Sequence, residues 1–124
     1  MSNDKNSNNC NYNLEERTQK FGENIIEFAK EIPRNVITIP LISQLVRAGT
    51  SVGANYMEAN GADSKKDFIH KIGISKREAR ETKHWLRMIV KASSSFKEKA
   101  GKLWKEAEEL NLIFSKIIRT CRKN

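Results

Sequence analysis

Four segments of the chain carry apolar or small residues at alternating steps of four and three. They are Leu14, Thr18, Phe21, Ile25, Phe28 and Ile32; Leu41, Leu45, Ala48, Val52, Asn55 and Ala59; Phe68, Ile72, Ser75, Ala79, Thr82, Leu86 and Ile89; and Leu103, Ala107, Leu110, Phe114, Ile117 and Cys121. A repeat averaging about 3.5 residues puts each set on one helical stripe, and such stripes bury one another at a shallow crossing angle. The pattern predicts an all-α, up-and-down four-helix bundle over residues 13–124, with helices at about 14–32, 40–60, 65–93 and 97–122. Residues 1–12 lack the periodicity, are rich in asparagine, and read as a disordered polar tail.

Local signals set the boundaries. Pro33 lacks a backbone donor and disfavours helical geometry in the residue before it, ending the first helix, while Pro40 suits the first turn of the second. Asn60-Gly61 is a C-terminal stop, and Ser64-Lys-Lys-Asp67 and Ser95-Phe-Lys-Glu98 read as capping boxes for helices three and four. Gly49 and Gly53 fall one turn apart beside Ala48 and Val52, so close backbone approach there would offset their low helix propensity.

A length of 124 residues suits one domain. No apolar run approaches the roughly 20 residues of a membrane span, and the polar start does not resemble a secretion signal. These features point to a cytoplasmic protein without membrane contact. Cys10 lies in the expected tail and Cys121 on the last stripe, so both read as reduced thiols.

Charge is uneven. Residues 1–64 hold six basic and eight acidic side chains, residues 65–91 nine and three, and residues 92–124 eight and four, so the net +8 resides in the second half. On helix three, Lys76, Arg80, Lys83, Arg87 and Lys91 form a basic ridge beside the buried stripe, with Lys66, His70, Arg77 and His84 on an adjacent face. Such a ridge suits repeated phosphates, because each cation displaces a condensed counterion. Pairing inside the bundle competes with that use, and Glu23, Glu27, Glu106 and Glu109 are available for it. Helix two carries a polar strip, Arg47, Ser51, Asn55 and Glu58, which reads as a structural layer fixing register, with a ligand or partner site as the alternative.

Catalytic signatures are weak. Glu81-Thr-Lys-His84 is a Glu-x-x-His pair, but di-iron bundles need two such pairs and two further inward carboxylates, and no metal site or cofactor is expected. Arg77 and His84 share a helical face at a spacing similar to that of metal-independent HEPN ribonucleases, a reading that a solvated face also explains. Glycine-rich phosphate loops, paired-cysteine motifs and nucleophile elbows are missing. Trp85 and Trp104 lie next to core positions and read as core or interface packing, with base stacking as the lesser alternative, and Tyr56 is the better surface candidate.

The stretches Leu45-Val-Arg-Ala-Gly-Thr-Ser-Val-Gly-Ala-Asn55, Glu58-Ala59, Ser64-Lys-Lys-Asp-Phe-Ile-His-Lys71 and Arg77-Glu-Ala-Arg-Glu-Thr-Lys-His-Trp-Leu86 resemble the bacterial four-helix-bundle proteins encoded in intervening sequences of 23S rRNA genes. The similarity runs from about Arg17 to Leu86 and continues more loosely to the C-terminus. Tyr56-Met57, where many members have smaller residues, and the asparagine-rich leader depart from it. The resemblance implies a ring-forming bundle, commonly a pentamer. It also implies kinship with an accessory factor for the reverse transcriptase of diversity-generating retroelements, which binds nucleic acid through a basic surface.

Self-association also follows from apolar or small residues outside the main stripes, including Ile42, Val46, Gly49, Ile69, Trp85 and Val90, which one core would not all bury. The sequence thus describes a non-enzymatic basic homo-oligomer acting on RNA or DNA as a nucleoprotein accessory factor, with a reverse transcriptase or other nucleic-acid enzyme as a partner. A HEPN-like ribonuclease and a purely structural oligomer are the alternatives.

Overall fold

Four helices fold up and down in chain order: α1 (Asn9–Glu31), α2 (Thr38–Asn60), α3 (Lys65–Ala92) and α4 (Lys97–Lys123). The structure is a computed structural model and describes residues 9–123. Helix α1 starts at Asn9, so the last part of the segment expected to be a disordered tail is helical, while residues 1–8 lie outside the described residues.

Side chains set the turns. Helix α2 begins two residues before Pro40 because Asn35 and Thr38 build its start. The Asn35 side-chain oxygen accepts from the Ile37 and Thr38 N–H groups at 2.8 and 2.9 Å. The Thr38 hydroxyl accepts from Asn35 N–H and donates to the Pro33 carbonyl at 2.6 Å. Two otherwise orphaned donors are satisfied in this way. At α3 the Ser64 hydroxyl accepts from Asp67 N–H at 3.1 Å, the bond expected of its capping box. Before α4, Ser95 lies inside a 3-10 turn, Ser94–Phe96, instead of at the helix boundary. That turn closes one end of the bundle by setting Phe96 edge-on to Phe28 of α1, with centroids 6.0 Å apart.

The core follows the stripes closely on α1 and α3. Leu14, Thr18, Phe21, Ile25, Phe28 and Ile32 are all buried, as are Ile72, Ser75, Ala79, Thr82, Leu86 and Ile89. On α2 the stripe departs from the expected register. Tyr56, expected at the surface, is 1% exposed and faces Phe114 across the bundle, whereas Asn55 is only half-buried. Ile42 and Gly49 are buried within this single core, Val46, Trp85 and Val90 pack partly against it, and Ile69 is half-buried outside it, so one core takes up part of the expected apolar surplus. Outward-facing apolar side chains are instead Ile26 on α1, Ile39 and Met57 on α2, Trp104 and Leu112 on α4, and Val36 and Ile37 before α2.

Close approach explains two glycines. A Cβ on Gly49 would stand 2.8 Å from Ile25 Cγ1, and one on Gly53 would stand 3.2 Å from the Thr18 carbonyl oxygen, so α2 lies against α1 at a distance only glycine permits. The seam between α1 and α4 is the thinnest of the four. Charge supplements it. Arg17 donates from Nε and Nη2 to both Glu106 carboxylate oxygens at 2.7 and 2.8 Å, and from Nη2 to Glu109 at 2.6 Å. The hydrogen bond to Glu106, and then, against desolvation, that to Glu109 raise the Arg17 guanidinium above the ordinary arginine range. Lys99 of α4 adds a bond to Glu31 of α1 at 2.7 Å.

Candidate nucleic-acid interface

The outward face of α3 is set by its two neighbours. On one side α4 reaches Lys83 through Glu108, and on the other α2 reaches Glu78 and Glu81 through Arg47. Between these contacts the helix faces solvent. Arg80, Arg87 and Lys91 project there, exposed and without an ion pair among the described residues. Lys76 is half-buried near α4, where its backbone carbonyl accepts from Asn111 Nδ2 at 3.1 Å.

Lys83 differs from the rest of the ridge. Its side chain is only 19% exposed, its ammonium pairs with Glu108, and Nζ stands over the Trp104 ring, 4.9 Å from the centroid. It therefore belongs to the α3–α4 seam. The acids expected to compete for the ridge are mostly engaged elsewhere: Glu106 and Glu109 hold Arg17, and Glu27 pairs with Lys30 in its own helix.

The polar strip of α2 borders the α2–α3 seam. Arg47 donates to Glu78 at 3.1 Å and Glu81 at 2.6 Å, and Glu58 accepts from Lys71 at 2.6 Å. The hydrogen bond to Glu81, outweighing desolvation together with that to Glu78, raises the Arg47 guanidinium above its ordinary range. Ser51 and Asn55 turn back on their own helix, donating to the carbonyls of Arg47 and Ser51 at 2.7 and 2.9 Å. The buried polar contact between the two helices is instead Ser75 Oγ, which donates to the Val52 carbonyl at 3.0 Å. A serine on an apolar stripe was the available signal for it.

The enzyme candidates are dispersed. Glu81 is held by Arg47, and the described residues contain no group of three or more His, Cys, Asp or Glu side chains placed to hold a metal ion. Arg77 and His84 are both exposed, and the His84 ring meets Trp85 edge-on at 4.7 Å. Cys121 is a half-buried free thiol, and Cys10 lies where no side chain is described.

Where α3 turns into α4 the structure forms a crevice of about 430 Å³. Leu86, Met88, Val90, Ala100, Gly101 and Trp104 line it, and Arg87, Lys91 and Lys97 supply its charge. No acidic side chain lines it. Lys97 was missing from the expected ridge because it belongs to the next helix. The Ser93-Ser94-Ser95 reversal brings it alongside Arg87 and Lys91, a juxtaposition that helical periodicity within α3 cannot reveal.

No helix among the described residues is long and apolar enough to cross a membrane. No curated protein matches the chain. A crystal structure of a protein of unknown function from the S23 ribosomal protein family of Bacteroides thetaiotaomicron is similar, at 30% identity and a TM-score of 0.76, covering 85% of this chain and 97% of that one. The model of the 23S rRNA-intervening sequence protein family matches residues 11–116. This chain therefore belongs to the 23S rRNA-intervening sequence protein family.

Proposed function

We propose that the chain is a non-enzymatic, self-associating accessory protein that binds nucleic acid through the outward cations of α3. The observation that carries this reading is that Arg80, Arg87 and Lys91 remain exposed and unpaired among the described residues while nearby acids are taken up along the helix seams. Three cations fixed along one rigid helix match a phosphate backbone, whose polyanionic charge repeats and whose contacts need no base sequence. Within the strip of Arg47, Ser51, Asn55 and Glu58, Arg47 and Glu58 have a structural part in this reading, holding α2 in register on α3, while Ser51 and Asn55 bond within their own helix. A reverse transcriptase or another nucleic-acid enzyme is the class of protein partner that the family resemblance implies.

Replacing Arg80, Arg87 and Lys91 together by glutamine keeps good helix formers on an exposed face, so helicity is retained. Affinity for RNA and duplex DNA in filter binding should fall at least about tenfold at low salt, and the slope of log affinity against log salt should shrink by about 0.7–0.9 for each phosphate that the variant no longer neutralises. Unchanged affinity in the folded variant overturns the proposal. RNA recovered intact after incubation without metal separates it from the ribonuclease alternative.

Self-association is supported by the outer side of the α1–α2 pair. Ile26 and Met57 are exposed there beside Gly22, Thr50, Gly53 and Ala54, with Glu23 as the one charged side chain lining the surface, and Ile39 is a further exposed apolar residue of α2. Light scattering coupled to size exclusion should give a mass of about five times the 14.2 kDa chain, the ring size the resemblance implies. Met57→Lys should reduce that mass. A single 14.2 kDa species at all concentrations contradicts self-association.

A further inference from the structure

The crevice between the end of α3 and the start of α4 combines an apolar floor with a cationic rim, and Trp104 forms one of its walls. Trp104 is 38% exposed, so part of its indole stands open beside the core. Its indole is already held from one side. Lys83, drawn in by Glu108 one turn further along α4, stands over the ring, whereas the crevice residues Lys97, Ala100 and Gly101 precede Trp104 in the helix. Neither Trp85, half-buried with its indole nitrogen enclosed, nor Tyr56 in the core offers a comparable surface.

We infer that this crevice takes an unpaired base of single-stranded nucleic acid, which stacks on Trp104 while the flanking phosphates contact Arg87, Lys91 and Lys97. The inference rests on the nucleic-acid reading above and adds to it a strand preference and a subsite. Charge complementarity at the rim selects the occupant: Arg87, Lys91 and Lys97, and no acid, border an almost wholly apolar cavity whose volume lies within the roughly 300–1,000 Å³ of ordinary ligand sites. A nucleotide places a flat π-surface and a phosphate within one repeat, which is the combination offered by an indole wall beside a basic rim. An acidic amphipathic helix fits less well. A helix stripe presents aliphatic side chains and carboxylates, with no flat π-surface to set against the indole wall. Duplex DNA or RNA keeps its bases stacked internally, so it would engage the rim alone.

The test uses the full chain and three probes of equal length: a single-stranded oligoadenylate, an abasic strand with the same backbone, and a blunt duplex. In a Trp85→Phe background, oligoadenylate should quench the fluorescence of Trp104, and the abasic strand should not. Trp104→Ala should weaken oligoadenylate binding about tenfold and leave the abasic strand and the duplex unchanged, with Trp104→Phe restoring most of the affinity. Gly101→Leu is a second variant that fills the crevice from its open side, because a Cβ at Gly101 meets nothing within 4 Å. It should reproduce the selective weakening without removing the aromatic ring or a charge. Equal affinity of the two single strands for the folded wild-type protein, or no selective weakening in either variant, overturns the subsite while leaving phosphate binding by α3 in place. Binding of none of the three probes overturns the nucleic-acid reading itself. Displacement of oligoadenylate by an acidic amphipathic peptide, combined with indifference to base removal, assigns the crevice to a protein partner and overturns the inference.

Discussion

Phe114→Ala should lower the free energy of unfolding by about 3–5 kcal/mol, a large part of the roughly 5–15 kcal/mol available to a natural domain. Phe114 is fully buried on α4 and its ring meets Tyr56 of α2 at 6.2 Å with the planes tilted by 35°. The backbones of these two helices lie diagonally opposite, out of direct contact among the described residues. Their aromatic rings fill the middle of the bundle where no backbone can follow a truncated side chain inward, so the cavity left by alanine should persist. Phe114→Leu retains most of the volume and should cost less than half as much. Urea denaturation with an unchanged slope checks both values, and a decrease below about 1 kcal/mol for alanine would mean that the site collapses freely.

Alanine in place of glycine should act with opposite signs at different positions. Gly73 and Gly101 have nothing within 4 Å of a built Cβ, so alanine there gains helix propensity and raises stability by up to about 1 kcal/mol. At Gly49 the new methyl would meet Ile25 Cγ1 and Cγ2 at 2.8 and 2.9 Å, and Ile25 is itself fully buried and cannot swing away. Overpacking of that kind costs about 1–3 kcal/mol, which outweighs the propensity gain. Gly53→Ala presses on the Thr18 backbone, so it forces α1 to shift and should also lower stability. Thermal melts of the four single variants should therefore fall on both sides of wild type, with Gly49→Ala lowest. A higher melting temperature for Gly49→Ala would show that α1 and α2 are not held at this spacing.

The sequence exposes the architecture because a helix repeats its environment every few residues. The α1 stripe and the α3 stripe from Ile72 onward are buried as their spacing predicts, with Phe68 half-buried at the start of α3, and the bond at Ser64 follows from side-chain chemistry within one turn. The shift to Tyr56 escaped for a physical reason. Steps of three and four from Val52 reach Asn55 and Tyr56 respectively, and only the ring of Phe114, far along the chain, decides between them. The same limit applies to the basic surface. Lys83 and Arg87 look equivalent on α3, yet Glu108 of α4 draws one into a seam and leaves the other in solvent, and Lys97 joins the patch only through the chain reversal. The start of α2 was legible in principle: Asn35 and Thr38 are strong capping residues, but the more conspicuous Pro40 drew the boundary to itself.

The uneven seams also imply an order of assembly. Three of the four join helices that follow one another in the chain, so each can arise from a local hairpin with a short connection. The fourth joins residues as distant as Arg17 and Glu106, 89 positions apart, and must bear the largest loop-closure entropy with the least packing in return. Closing the ring of helices is then the final event of folding, not its nucleus. Substitutions along the α1–α4 seam should leave the rate of folding nearly untouched and act on the rate of unfolding, making Arg17 and its two glutamates determinants of the native state's lifetime.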